Sequence, residues 1–154
     1  MNAIVQATHG GATLDLERVR RTALFALEAL AAPPESEVSV TFVSDGEIAA
    51  LSEEYRRKSG PTDVLSFECD NLDDGFPAPA DGGPYELGDV VIAPDVARRQ
   101  AAELGVDFLD EVDLLVVHGV LHLNGYDHVT DEDAAVMEPL QERIVGDLRA
   151  ARGA

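Results

Sequence analysis

The chain has 154 residues, 45% of them hydrophobic, which is enough for one domain with a real core but not for two. Thirty acidic against eleven basic residues give a net charge of −19, a field that favours solubility and repels nucleic acid at long range, so an RNA or DNA partner would need a local basic patch or a bound dication. No apolar run reaches the roughly 18 residues of a membrane span, and "MNAIVQATHGG" has neither the basic start nor the apolar stretch of a secretory leader. These features point to a single cytoplasmic domain over residues 1–154 with no membrane partner. Cys69 is the one cysteine, which excludes an internal disulfide and reads as a small apolar residue.

In chain order, "NAIVQAT" alternates loosely and predicts a short strand. "TLDLERVRRTALFALEALAA" predicts a helix with Thr13 as N-cap, acids in its first turn and an apolar face through Leu16, Val19, Ala23, Ala26, Leu27 and Leu30, stopped by Pro33-Pro34. "EVSVTFVS" is a β-branched, alternating strand. Ser44 and Glu47 have the spacing of a capping box that opens a second helix, ended by Gly60-Pro61. "TDVLSFEC" and "LGDVVIAP" are two further strands, separated by a Pro- and Gly-rich loop through Asp70–Pro84. Pro94 suits the first position of a third helix, Asp107 caps a fourth that Gly125 closes, and Thr130 caps a last helix running to about Leu148. The order β-α-β-α-β-β-α-α-α predicts an α+β fold: a small mixed sheet of about four strands packed with about five helices.

Three of the four histidines fall in "HGVLHLNGYDH". His118 and His122 are four apart in a helix, so their side chains share one face about 6 Å apart along the axis. Gly125 then allows the chain to turn and His128 to return as a third ligand. Three neutral nitrogen donors with one open position are the pattern of a catalytic zinc site, whereas a closed structural site takes four ligands, usually with Cys. Imidazole also suits nickel, copper and iron; zinc leads on geometry. His9, isolated, reads as a surface or satisfied core residue with no role. The spacing H-x-x-x-H-x-x-G-x-x-H matches metzincin peptidases, but those carry a Glu beside the first histidine as general base, and here that position is Gly119.

"HGVLHLNGYDH" resembles the signature of the YbeY family, bacterial metal-dependent endoribonucleases of ribosomal RNA maturation. "YRRKSGPTDVLSF" (Tyr55–Phe67), "LGDVVIAP" (Leu87–Pro94) and "DEDAAVMEPLQ" (Asp131–Gln141) resemble other family segments in the same order, so the likeness runs from about Val38 to Ile144. The resemblance implies an α+β fold with the metal in a cleft, one zinc ion on His118, His122 and His128, and a basic groove for single-stranded RNA. It implies catalytic roles for Arg56 and His118. It further implies processing of the 3′ end of 16S rRNA, clearance of defective ribosomes, and as partners a small-subunit ribosomal protein and an assembly GTPase. The family's Arg-Gly-Lys-Asp-Lys run is "RRKSG" here, so one basic and one acidic position are lost or shifted.

Arg56, with its planar fork of donors, is the candidate for stabilising charge on phosphorus, against the plainer reading that it is one of three bases closing a helix C-terminus. The residues do not identify a general base; Asp127, Ser66, Asp63 and Glu138 are candidates for orienting a ligand or meeting the substrate, and an RNA 2′-hydroxyl could itself be the nucleophile. Asp127 would suit an orienting role on a histidine or a turn cap. Three functions compete: a zinc-dependent endoribonuclease, a metalloprotease disfavoured by Gly119, and a non-catalytic zinc-containing ribosome assembly factor, which the acidity mildly favours because it suits a basic protein partner.

Overall fold

A computed structural model describes residues 1–56, 64–68, 85–126 and 130–153, with the side chains of residues 55, 56, 68 and 85 outside that description. The elements are β1 (Asn2–Ala7), α1 (Leu16–Ala29), β2 (Ser36–Phe42), α2 (Asp45–Arg56), β3 (Val64–Glu68), β4 (Tyr85–Ile92), α3 (Pro94–Leu104), α4 (Phe108–Leu123) and α5 (Asp131–Gly153). This is the expected order. The strands form one sheet in the order β1-β2-β4-β3, with β1, β2 and β4 parallel and β3 antiparallel to β4. The fold is therefore α+β with a mixed sheet. Cys69, the Gly60-Pro61 helix stop and the Asp70–Pro84 loop lie outside the described residues.

Strand alternation sets the two faces of the sheet. Val38, Val40 and Phe42 of β2 stand level with Gly88, Val90 and Ile92 of β4, and this face carries the main core with α1, α4 and α5. On the other face Val91 and Leu65 pack with Val43 and with Ile48 of α2. Beyond them lies a groove of about 510 Å³ that includes Gln6, Ser39, Thr41, Phe67 and Asp89. The helix α4 is apolar nearly all round ("LLVVHGVLHL"), as a helix buried on several sides must be; it contacts α1, α3, α5, β3 and β4. None of the described helices is long and apolar enough to cross a membrane.

Most end signals act as their chemistry dictates. Ser44 Oγ accepts from the Glu47 amide at 3.2 Å and Glu47 Oε1 accepts from the Ser44 amide at 3.4 Å, the reciprocal capping box. Asp107 Oδ2 accepts from the amides of Leu109 and Asp110 at 3.1 and 3.2 Å. Two ends differ from expectation. The cap of α1 is Asp15, whose Oδ1 accepts from the Arg18 amide at 3.0 Å. Thr13 instead closes a short 3-10 turn, donating to Gly10 O at 3.0 Å and accepting from Arg98 at 2.8 Å. Both residues are good caps in isolation, and a carboxylate three residues before Arg18 adds a favourable charge at the helix start.

The helix α5 runs past Leu148 to Gly153 because its last turn has a distant partner. Arg152 donates to Asp113 Oδ2 and, at 2.6 Å, to Thr22 Oγ1. Arg18 donates to the same carboxylate at 2.8 Å and to Asp110 at 3.0 Å. The hydrogen bond to Asp113 is the largest influence raising the Arg18 pKa above its ordinary value, with Asp110 adding to it against burial. The Asp113 side chain is only 2% exposed, so it depends on these donors. Asp113→Ala is expected to cost about 3 kcal/mol, because it leaves two guanidinium groups facing each other without their shared counter-charge. Urea denaturation reads this directly, and an unchanged midpoint would show the cluster to be energetically silent.

Candidate metal centre

The last two turns of α4 place His118 and His122 side by side. Their Nε2 atoms are 3.1 Å apart and the rings meet edge to face with centroids 4.6 Å apart. Two nitrogens bound at about 2.05 Å to one tetrahedral ion would lie about 3.3 Å from each other, so the pair matches the edge of such a coordination sphere. Both rings are half-buried in an otherwise buried stretch of helix.

The other ring nitrogen of His118 is also engaged. Its Nδ1 lies 2.7 Å from Gln141 Oε1 on α5. An amide oxygen can only accept, so Nδ1 carries the hydrogen and Nε2 presents its lone pair toward His122. Gln141 has no place among the sequence candidates. The signal was there: it falls four residues after Met137 and three before Ile144, both buried. A polar residue on that apolar stripe of α5 needs a partner.

The chain leaves α4 through a left-handed residue. Gly125 has φ 93°, its amide bonds His122 O at 3.1 Å, and the Tyr126 amide bonds Leu121 O at 3.1 Å. This is a Schellman closure, with Tyr126 packed on the main core. It confirms Gly125 as the stop and sends the chain out immediately before Asp127 and His128. Those two residues, and Asp63, lie outside the described residues. Among the described residues no group of three or more His, Cys, Asp or Glu is arranged to hold a metal.

The remaining candidates fall as follows. Ser66, in β3, stands level with Val90 on the α4 side of the sheet, and its hydroxyl reaches Gly119 O at 3.4 Å, between the two histidines. Glu138 is exposed on α5. Arg56 is the last residue of α2, and its side chain is outside the described residues. His9 is at the surface, 2.7 Å from Asp95, as a role-free histidine would be.

Gly119 has a structural reason to be glycine. A Cβ there would stand 2.5 Å from Val90 Cγ1 and 2.9 Å from Cγ2. The helix α4 lies against β4 at this residue, so position 119 points into the sheet. A peptidase-type glutamate could not be accommodated without moving the helix that carries the histidines.

These features define a small α+β protein with paired imidazoles on a buried helix. Its fold is similar to a solution structure of the Thermotoga maritima protein TM1509, with a TM-score of 0.65 and 26% identity over 97% of this chain and 90% of that one. The chain belongs to the endoribonuclease YbeY family, whose sequence profile matches residues 6–149. The endoribonuclease YbeY of Thermobifida fusca is 43% identical over 143 residues, covering 93% of this chain and 92% of its own length. That of Bacillus pumilus is 42% identical over 139 residues, covering 89% and 87%. The family is one of RNA-cleaving hydrolases, and this chain is placed among them as an enzyme.

Proposed function

We propose that the protein is a zinc-dependent endoribonuclease that cuts single-stranded ribosomal RNA, maturing the 3′ end of 16S rRNA and acting in ribosome quality control. The observation that carries the metal part of the reading is the convergence of His118 Nε2 and His122 Nε2 at 3.1 Å, with His118 Nδ1 held by Gln141. His118, His122 and, by family resemblance, His128 would hold the ion. When bound, zinc supplies a Lewis acid that polarises a phosphoryl oxygen and lowers the pKa of water.

The chain's own residues account for the rest. Three neutral imidazoles would leave a bound ion's double charge intact, so the site would attract phosphate within a protein of net charge −19. Arg56 would bind non-bridging phosphoryl oxygens through its guanidinium fork and offset the negative charge that grows there in the transition state. Gly119 leaves no carboxylate beside the first histidine, which disfavours peptide hydrolysis. A ribosomal RNA substrate, with a small-subunit ribosomal protein and an assembly GTPase as partners, follows from the family resemblance. The second reading is a non-catalytic assembly factor. The acidity of the chain favours it, because a strongly negative surface suits a basic ribosomal protein.

One assay separates these readings: single-stranded rRNA and casein incubated with wild type, Arg56→Ala and metal-stripped protein. Wild type should cleave RNA and leave casein intact, and stripping should abolish cleavage. Arg56→Ala should retain zinc and fold while losing about 10²–10³-fold in rate, the usual cost of removing one transition-state donor. Full cleavage by Arg56→Ala would remove that residue from the chemistry. A zinc-loaded wild type that binds ribosomal protein and cuts no RNA would establish the assembly reading instead.

A further inference from the structure

We infer that Gln141 is a positioning residue that fixes the tautomer of His118 and so presets the metal-binding face of the site. The inference rests on the reading of His118 as a metal ligand and adds to it the group that makes it one. A neutral imidazole has two tautomers, and only the one with hydrogen on Nδ1 offers the Nε2 lone pair. The 2.7 Å contact between His118 Nδ1 and Gln141 Oε1 selects that tautomer before any ion arrives.

The contact is held from both sides. His118 is fixed by α4, whose backbone lies against Val90 one residue later. Gln141 is fixed by α5, where Met137 and Ile144, at 1% and 0% exposure, pin the same stripe of the helix. Breaking the hydrogen bond would leave a half-buried amide and a half-buried ring nitrogen competing for poorer partners.

The choice of amide has a chemical consequence. Metal-bound histidines commonly donate to a carboxylate, which makes the imidazole more basic and a stronger ligand. Gln141 orients the ring equally well and adds no negative charge. An amide at this position would therefore leave a bound ion more of its charge for a phosphate substrate. Glu at 141 would retain the orientation and trade electrophilicity for affinity.

The test uses full-length protein with two readouts. Long-range 1H–15N NMR of the metal-free protein at about pH 8, above the ordinary imidazole pKa, reports the His118 tautomer without reference to zinc. Wild type should show the Nδ1–H form alone, and Gln141→Leu should show a mixture or the Nε2–H form. Competition titration should then give a zinc Kd about 10–100-fold weaker for Gln141→Leu, the range seen when an outer hydrogen-bond partner of a ligand is lost. Gln141→Glu should recover the Nδ1–H form and bind zinc at least as tightly as wild type. An unchanged tautomer and Kd in Gln141→Leu would overturn the inference. Should Gln141→Leu fail to fold, Gln141→Glu decides, and its loss of the Nδ1–H form would equally overturn it. A wild type that fixes the tautomer and yet binds no zinc would refute the ligand reading while leaving the positioning role standing.

Discussion

His118→Ala should purify without zinc and leave RNA cleavage at background, whereas wild type should carry about one ion per chain. The expected loss exceeds the roughly 10–100-fold penalty for an outer-shell partner, because the variant removes a donor atom itself. If His118, His122 and His128 are the ligands, the two left would not hold an ion in the fixed geometry that a catalytic site requires. The fold should survive: His118 is half-buried, and its removal leaves Gln141 Oε1 in want of a donor, a cost of about 1–3 kcal/mol. Metal analysis and a thermal melt on the same sample separate the two effects. His9→Ala is the matched control, since His9 sits at the surface with Asp95 and should change neither readout. Equimolar zinc and full cleavage in His118→Ala would end the case for this centre.

Gly88→Ala should produce a large loss of stability. Gly88 has φ +143°, and a Cβ there would stand 2.0 Å from Phe67 O and 2.9 Å from Leu123 Cδ2. The first contact is with backbone, which no side-chain rotation relieves. The residue lies at a bulge: Glu37 pairs with Glu86, and Val38 skips Leu87 to pair with Gly88. Alanine must therefore disturb the β3–β4 pairing at this end, and it also presses on Leu123 of α4, one residue after His122. A loss of at least about 4 kcal/mol is expected, among the largest that point substitutions give. For a chain of this size it corresponds to a fall in Tm of about 10 °C or more. A melt within about 2 °C of wild type would show that the bulge tolerates a side chain after all. Zinc binding should weaken in parallel, because the displaced end of α4 carries the histidines.

Local chemistry in the sequence was enough for the element order, the α+β class and the start and stop of α4. Each rests on residues within a turn or two: the alternation of "EVSVTF", the Ser44–Glu47 box, Asp107, and Gly125 in a left-handed conformation. The pairing of His118 with His122 is equally local, since helical geometry alone brings residues four apart onto one face. The first helix shows the limit of such signals, because Thr13 and Asp15 are both good caps and only the fold assigns Thr13 to Arg98.

The rest depended on contacts between distant segments. The extra turn of α5 exists because Arg152 meets Asp113 and Thr22, 39 and 130 residues away in the chain. The glycine at 119 is explained by Val90, and the glycine at 88 by the carbonyl of Phe67. Gln141 reads as one polar residue on an apolar stripe until α5 packs on α4 and brings it to the His118 ring. The sequence alone determined that His118 and His122 share one face of α4, because that is a property of helical period. Only the tertiary structure decided which nitrogen of His118 faces His122 and which faces Gln141, because that choice is set by a hydrogen-bond partner 23 residues away.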